Sequence, residues 1–142
     1  MVLMVNRQRR YRVETRALAQ FAERVLAAVG KGGHAVAIVL VGDRAIRQLN
    51  RDFRGIDRPT DVLSFPFGEL DPDGPEPQPY LGDVVISVET ARRYAARWRI
   101  PLDRELRNLI IHGVLHLCGY DHETDRGEMR RLERRLRRAL IP

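Results

Sequence analysis

Three of the four histidines in the chain lie between positions 112 and 122. His112 and His116 are four residues apart in a segment predicted to be helical, which places their side chains on one face, about 5–6 Å apart. His122 cannot join them if the helix continues, because each residue turns the helix by about 100°. Gly119 stands where the helix has to stop, and glycine readily adopts the left-handed conformation that ends helices. The spacing therefore predicts a helix that breaks near Gly119 and a chain that turns back.

Three imidazoles that converge in this way are typical of a metal site. Neutral imidazole binds zinc at about 2.0–2.1 Å, and three such ligands leave a fourth position open, as in catalytic rather than structural zinc sites. We therefore predict one Zn²⁺ per chain on His112, His116 and His122, while nickel, cobalt and iron also accept imidazole. Each histidine alone is more simply an ordinary core or surface residue; the combined spacing favours the metal.

The histidine spacing resembles the extended zinc-peptidase pattern H-E-x-x-H-x-x-G-x-x-H and so predicts a metzincin-like zinc site. In those peptidases the glutamate that follows the first histidine is the general base, and here that position is Gly113. A peptidase mechanism would lack its base. Hydrolysis of another bond stays open, because zinc alone lowers the pKa of a bound water to about 7.

The composition indicates a globular protein with excess positive charge: 44% of residues are hydrophobic, 31% are charged and the net charge is +6. Lys31 is the only lysine, and arginine suits phosphate because its planar fork bonds two oxygens at once. An arginine-rich composition is also typical of GC-rich genomes. No apolar run reaches the roughly 20 residues that span a bilayer. The lone Cys118, predicted to be a small buried side chain, excludes an intrachain disulfide. These features predict a cytoplasmic protein without a membrane partner.

Apolar runs predict four strands, over residues 1–5, 34–41, 61–65 and 83–86. Apolar side chains at helical spacing predict a helix between the first two strands that stops at Gly30, and another that carries Tyr94 and Trp98 as core residues and ends before Pro101. Proline, glycine and acidic residues over 68–79 predict a loop. Because strands and helices interleave, we expect a layered α+β fold with a small, mixed, mostly four-stranded sheet and about five helices.

Acidic residues are predicted to begin three of these helices. Asp43 is expected to cap the helix that carries Ile46, Leu49 and Phe53, and Asp103 is expected to cap the helix that leads to the histidines. Asp125 and Glu128 have the spacing of a capping box for the last helix. In that helix Met129, Leu132, Leu136 and Leu140 form an apolar stripe. Its arginines either form a solvated face with Glu128 and Glu133 or offer an electrostatic surface to RNA.

Three stretches together resemble one protein family. The run 112–122, of the form H-G-x-L-H-L-x-G-Y-D-H, resembles the hallmark of the YbeY family of bacterial rRNA-maturation endoribonucleases. Residues 50–66, with the sequence NRDFRGIDRPTDVLSFP, and residues 81–87, with the sequence LGDVVIS, are similar to the same family. The similarity covers roughly residues 35 to 125 in the same order.

The resemblance implies a single endoribonuclease domain over residues 1–142 that cleaves single-stranded RNA in 16S rRNA 3′-end maturation and ribosome quality control. It implies zinc on the three histidines and a functional arginine, which corresponds to Arg54, so that Arg54, His112 and His116 are the expected catalytic residues. The expected partners are an rRNA precursor, the small ribosomal subunit and its associated proteins; DNA is not expected.

Two other readings of the histidine cluster stay open at this stage. One is a metallohydrolase that acts on peptide or amide bonds, against which Gly113 argues. The other is a non-catalytic ribosome-binding factor with a structural metal, against which the open fourth position argues. Beside His122, Asp121 and Tyr120 either orient an imidazole from behind or simply cap the turn and pack.

Overall fold

Strands and helices alternate along most of the chain in the computed structural model, which describes residues 1–70, 73 and 79–142. The strands are β1 (Val2–Asn6), β2 (Ala35–Val41), β3 (Val62–Pro66) and β4 (Tyr80–Ser87). The helices are α1 (Thr15–Ala28), α2 (Asp43–Arg54), α3 (Val88–Trp98), α4 (Leu102–Leu117) and α5 (Glu128–Leu140). All four predicted strands are present, and β4 begins earlier than predicted.

The four strands form one mixed sheet in the order β1-β2-β4-β3. β1, β2 and β4 are parallel to one another, whereas β3 pairs antiparallel with β4 at one edge. The predicted α+β fold with a small mixed sheet and about five helices is confirmed. No helix among the described residues is long and apolar enough to cross a membrane.

The two faces of the sheet support two separate layers, because successive side chains of a strand point to opposite faces. Val84 and Ile86 of β4 pack into the larger cluster, which contains the apolar faces of α1 and α4 together with Met129 and Leu136 of α5. Val85, between them in sequence, packs on the other face with Ile46 of α2. The helix that carries two of the three histidines and the helix that carries Arg54 therefore cover opposite faces.

Two predicted helix caps are wrong. Asp43 is the first residue of α2 rather than its cap, and its backbone N–H donates to Glu89 Oε1 at 2.9 Å, so a carboxylate from α3 satisfies the helix start instead. Asp103 lies within the first turn of α4, whose cap position is Pro101, and its carboxylate accepts a hydrogen bond from Arg107 at 2.7 Å. Both acids keep their place at a helix N-terminus, where negative charge is favourable.

The predicted capping box at the start of α5 is not formed, because the cap residue of the helix is Gly127 and not Asp125. Asp125 Oδ2 accepts from the N–H of Met129 at 2.9 Å, and Glu128 Oε2 accepts from the N–H of Arg126. In a capping box the two side chains would each bond the other residue's backbone. Here each bonds a neighbouring position, because Gly127, with φ at +97°, occupies the cap and adds a tight turn before the helix.

Two further predictions concern the aromatic residues of α3 and the loop over residues 68–79. The placement of Tyr94 and Trp98 in the core is wrong: they are 40% and 68% exposed, whereas Ala91 and Ala95 on the same helix are buried. Trp98 lies seven residues after Ala91 and so on nearly the same side of the helix, but it is the last residue of α3 and is exposed there. Most of the loop predicted over residues 68–79 lies outside the described residues.

Asp43 ties the start of α2 to the junction between β4 and α3. Its Oδ1 accepts hydrogen bonds from the hydroxyls of Ser87 at 2.7 Å and Thr90 at 2.6 Å, and its Oδ2 lies 2.8 Å from Arg93 Nη1. Burial by itself raises the pKa of Asp43, but the bonds from these three side chains outweigh it and hold the pKa below its usual 3.8.

We predict that Asp43→Asn lowers the free energy of unfolding at pH 7 by about 1–3 kcal/mol, because hydrogen bonds to a charged group are lost. A depressed pKa in the folded state contributes stability above about pH 4 that disappears as the pH falls through the folded pKa. Urea unfolding should therefore show the gap between wild type and variant narrowing below pH 4. The exposed Asp52→Asn variant is the control, and a pH-independent gap would contradict the prediction.

Candidate functional site

Helix α4 approaches the sheet closely at Gly113. A Cβ atom placed on Gly113 would lie 2.5 Å from Val84 Cγ1, a distance that real Cβ atoms essentially never show, and 3.0 Å from Val84 Cγ2. Position 113 therefore faces the central strand β4 and not the histidine cluster. This explains in physical terms why the glutamate of zinc peptidases is absent here: the position has no room for a side chain.

The helix ends as the sequence predicts, with Gly119 in the left-handed conformation at φ +95°. The N–H of Gly119 donates to the carbonyl of His116 at 3.0 Å, and the N–H of Tyr120 donates to that of Leu115 at 3.1 Å. These two bonds form a Schellman motif, which ends the helix and reverses the direction of the chain. The reversal brings His122 back beside α4, the helix that precedes it in the chain.

The three histidines converge. One ring nitrogen from each of His112, His116 and His122 can be chosen so that all three lie within 4.8 Å of one another. The ring centroids of His112 and His116 are 4.7 Å apart, and those of His112 and His122 are 5.1 Å apart. Three nitrogen donors on two sides of a chain reversal form a set that can hold a metal ion.

The protonation state of His116 suits such a role. Burial lowers the pKa of His116 below its usual 6.5, and positive charge on His112 would lower it further. A ligand nitrogen must be unprotonated before it binds a metal. The site therefore favours the neutral imidazole, and the donor set fits a zinc ion.

Arg54 lies in the same cleft as two of the histidines. This cleft has a volume of about 350 Å³, and its lining includes residues from α2, β3, the turn after β3 and α4: Arg54, Val62, Leu63, Ser64, Pro66, Glu69, His112 and His116. The Arg54 guanidinium stacks over the ring of Phe65 at 5.0 Å, and its Nη2 donates to the carbonyl of Ser64 at 2.9 Å. The arginine singled out by its resemblance to a family motif thus has a defined position beside the imidazoles.

Ser64 connects the two layers, and the sequence analysis passed over it. Its hydroxyl donates to the carbonyl oxygen of Gly113 on α4 at 3.0 Å, while its own carbonyl accepts from Arg54 on α2. One residue of the edge strand β3 therefore fixes both the helix that bears two histidines and the arginine. No sequence pattern identifies such a role, because it depends on two long-range contacts.

Glu69 pairs with Arg54 within the cleft. Its Oε1 accepts a hydrogen bond from Arg54 Nη1, and about a third of each side chain is exposed. The carboxylate accepts from an N–H group that a phosphate would also use, since arginine binds the oxygens of carboxylates and phosphates through paired N–H groups. Glu69 therefore holds the guanidinium in place and also competes for it.

Glu133 is a site residue that the sequence analysis missed. It was grouped with a solvated face, yet it is only 8% exposed. Its carboxylate lies 3.5 Å from His112 Nδ1 and 3.4 Å from His122 Nε2. Its position was readable in the sequence, because Glu133 follows Met129 by four residues and precedes Leu136 by three, which places all three on one face of α5.

Burial tends to raise the pKa of Glu133. The hydrogen bond from His112 and the positive charge of His112 and Arg137 outweigh this effect and hold the pKa below its usual 4.5. The group is therefore a carboxylate near neutral pH. Its two oxygens face two of the three imidazoles.

The residues beside His122 take the simpler of the two roles considered. Asp121 Oδ1 accepts from the N–H of Glu123 at 2.9 Å, so this carboxylate caps the turn, and Tyr120 packs against the core. Cys118 is half-buried against the same core, and burial raises the pKa of its thiol. The carboxylate that contacts imidazoles comes instead from α5.

The comparisons with known proteins agree with these motifs. The sequence profile of the family described as endoribonuclease YbeY matches residues 3–140. The chain belongs to the YbeY family. Among its relatives, the endoribonuclease YbeY of Geobacter sulfurreducens is 44% identical over 138 residues, which are 93% of this chain and 88% of the relative. That of Pelotomaculum thermopropionicum is 48% identical over 139 residues, or 93% of this chain and 91% of the relative.

A solved structure supports the fold of this YbeY-family chain. The solution structure of a protein from Thermotoga maritima is similar with a TM-score of 0.60 and 30% identity, and the match covers 96% of this chain and 86% of that one. The resemblance noted from the three sequence stretches is therefore confirmed over nearly the whole chain.

We predict that Gly113→Ala destabilises the protein despite alanine's better helix propensity. Propensity favours alanine by about 1 kcal/mol, whereas overpacking costs about 1–3 kcal/mol, and the nearest Val84 atom is too close to remain in place. Denaturant unfolding of Gly113→Ala, Val84→Ala and the double variant tests this. In the Val84→Ala background the added methyl should cost less or stabilise, and purely additive effects would contradict the proposed contact.

Proposed function

We propose that this chain is a zinc-dependent endoribonuclease, specific for single-stranded RNA, that acts in 16S rRNA 3′-end maturation and ribosome quality control. The observation that carries the proposal is the single cleft in which an arginine and imidazoles from the three-histidine set lie together. Membership of a family whose members are named endoribonucleases supports RNA as the substrate. On this proposal the metal ligands are His112, His116 and His122.

The roles of the residues follow from their positions. A zinc ion, when bound, supplies a Lewis acid for a phosphoryl oxygen and lowers the pKa of a bound water. Arg54 binds the phosphate through its paired N–H groups and offsets the negative charge that grows in the transition state. Stacking on Phe65 and the bond to the Ser64 carbonyl hold the guanidinium in this orientation before substrate arrives.

The alternative of peptide or amide hydrolysis is disfavoured by the packing of Gly113. The base that such chemistry uses in zinc peptidases would have to occupy a position filled by Val84. A ribosome-binding factor with a structural metal is disfavoured by the three-ligand set, since structural zinc sites have four protein ligands. Among the described residues, the group suited to a metal contains three histidines and no fourth side chain.

We predict that purified wild type contains about one zinc per chain and cleaves single-stranded RNA, but not duplex RNA, single-stranded DNA of the same sequence, or casein. His112→Ala should lose both metal and cleavage, because the ion loses a ligand. Arg54→Ala should keep the metal and lower the cleavage rate by about 10²–10³-fold, the cost of removing one preorganised donor to the transition state. Metal analysis and single-turnover cleavage provide the measurements.

Glu69→Gln is the matched variant for Arg54→Ala. It removes the competing carboxylate and leaves the guanidinium, so RNA affinity should hold or rise. Wild type that is as inert on RNA as His112→Ala, with metal present, would remove the enzyme proposal. The product ends also distinguish two routes: a 2′,3′-cyclic phosphate indicates attack by the substrate 2′-OH, and a linear end without it indicates attack by water.

The arginine-rich side of α5 supports an RNA or ribosome contact. Arg134 and Arg138 are exposed, and so are most of the other arginines of this helix. We use the name basic face for the exposed arginines of this segment: Arg126, Arg130, Arg131, Arg134, Arg135 and Arg138. The same helix carries Glu133 on its buried face, where the carboxylate lies beside His112 and His122.

We predict that Arg134→Glu with Arg138→Glu flattens the salt dependence of RNA binding. Each phosphate contact to a single strand contributes a slope of about 0.7 in a plot of log K against log salt, so the loss of two contacts lowers the slope by about 1.4. Fluorescence anisotropy at several salt concentrations measures it. The pair Arg9→Glu with Arg44→Glu changes the net charge equally elsewhere on the surface. An equal slope in both double variants would exclude the basic face.

A further inference from the structure

Helix α5 places a carboxylate where its neighbours on the same face are apolar. Met129 and Leu136 flank Glu133 on the buried face of the helix and are 0% and 4% exposed. A charged group in such surroundings is unfavourable unless it is paired and hydrogen-bonded. The burial of Glu133 therefore requires partners that compensate for the loss of water.

The partner on its own helix does not account for this burial. Arg137 Nη1 lies 3.4 Å from Glu133 Oε2 at the spacing of four, and 40% of the arginine side chain is exposed. Pairs of this kind contribute little to stability, and they form as well on a solvated face. The partners that lie on the buried side are His112 and His122, each beside a different carboxylate oxygen.

The carboxylate determines which nitrogen of His112 is free. A neutral imidazole has one N–H donor and one nitrogen with a lone pair. Glu133 faces Nδ1 of His112, so the proton is favoured there and the lone pair is left on Nε2, the nitrogen available to an ion. Hydrogen bonds of this kind fix the tautomer and ring orientation of a ligand histidine and make it a stronger donor.

We propose that Glu133 is the positioning residue of the metal centre: it orients His112 and His122 from behind and supplies the negative charge that offsets a dication held by three neutral imidazoles. It is not a ligand, because among the described residues the donor set within 4.8 Å consists of the histidines alone. This inference rests on the proposed metal site and adds to it the group that shapes two of its ligands. The contact of Glu133 with His122 also joins α5 to the segment that follows the chain reversal at Gly119.

The test measures zinc affinity by competition with a chromophoric chelator, together with the melting temperature of the metal-free protein. Glu133→Gln should lower zinc affinity about 10–100-fold, as loss of an outer carboxylate does in other zinc sites, with little change in the metal-free melting temperature. Glu133→Leu should lower affinity similarly while keeping or raising that temperature, because an apolar side chain replaces a buried charge. A residue that only supported the fold would not separate these two readouts.

Glu105→Gln is the matched control. Glu105 is a partly buried carboxylate on α4 that bonds Asn108 at 3.3 Å, so this variant removes an equal charge without a contact to an imidazole. Its zinc affinity should stay within about threefold of wild type. Zinc affinity of both Glu133 variants within twofold of wild type would overturn this inference and leave the metal centre standing. A wild-type protein that binds no zinc would overturn both.

Discussion

The contact between α4 and β4 at Gly113 is the one on which the remaining architecture depends. Because Gly113 has no side chain, the helix lies directly on Val84. The residues beside this contact then point along the flank of the helix toward the edge strand β3. His112, next in sequence to Gly113, and His116 one turn later project into the cleft for this reason. A backbone that close to the sheet leaves no space for a catalytic glutamate, so the chemistry has to be built from other elements.

The second constraint is the reversal of the chain after α4. A left-handed glycine ends the helix, and two backbone hydrogen bonds satisfy the carbonyls that the break would otherwise leave open. The same reversal leads the chain into α5, whose buried face lies beside the histidine cluster. The third imidazole and the carboxylate behind it are thus consequences of one local conformation. Local geometry and long-range packing agree here, as they do in sequences that fold to one state.

Much of this arrangement was predictable from local sequence. Strand positions follow from short apolar runs, and the helix break at Gly119 follows from the requirement that His122 return. What local sequence does not contain is the identity of partners distant in the chain. Asp43 and Asp103 were expected as caps because acids favour that position, yet the cap residues are Gly42 and Pro101. The carboxylate that accepts from the start of α2 comes from Glu89 on another helix.

Side chains on amphipathic helices were harder to place. Trp98 was assigned to the core because it lies four residues from Tyr94 on one helix, but it is the last residue of α3 and is exposed there, whereas Ala91 and Ala95 are buried. Glu133 was assigned to solvent because carboxylates usually are exposed, although its spacing from Met129 already matched the buried face. Residue type misled for Glu133, where position within the helical repeat was the better guide. For Trp98 the repeat matched that of the buried Ala91, yet the last residue of the helix is exposed. Ser64 had no local signal at all, since its role lies in contacts to α4 and α2.

The arginine and the imidazoles come from opposite sides of the sheet and meet only across its antiparallel edge strand. A small rocking of one helical layer against the other would leave the spacing between His112 and His116 untouched, because both belong to one rigid turn. It would, however, change how far the guanidinium stands from them. The distance between the guanidinium and the imidazoles therefore depends on strand β3, whose Ser64 bonds both the carbonyl of Gly113 on α4 and Arg54 on α2.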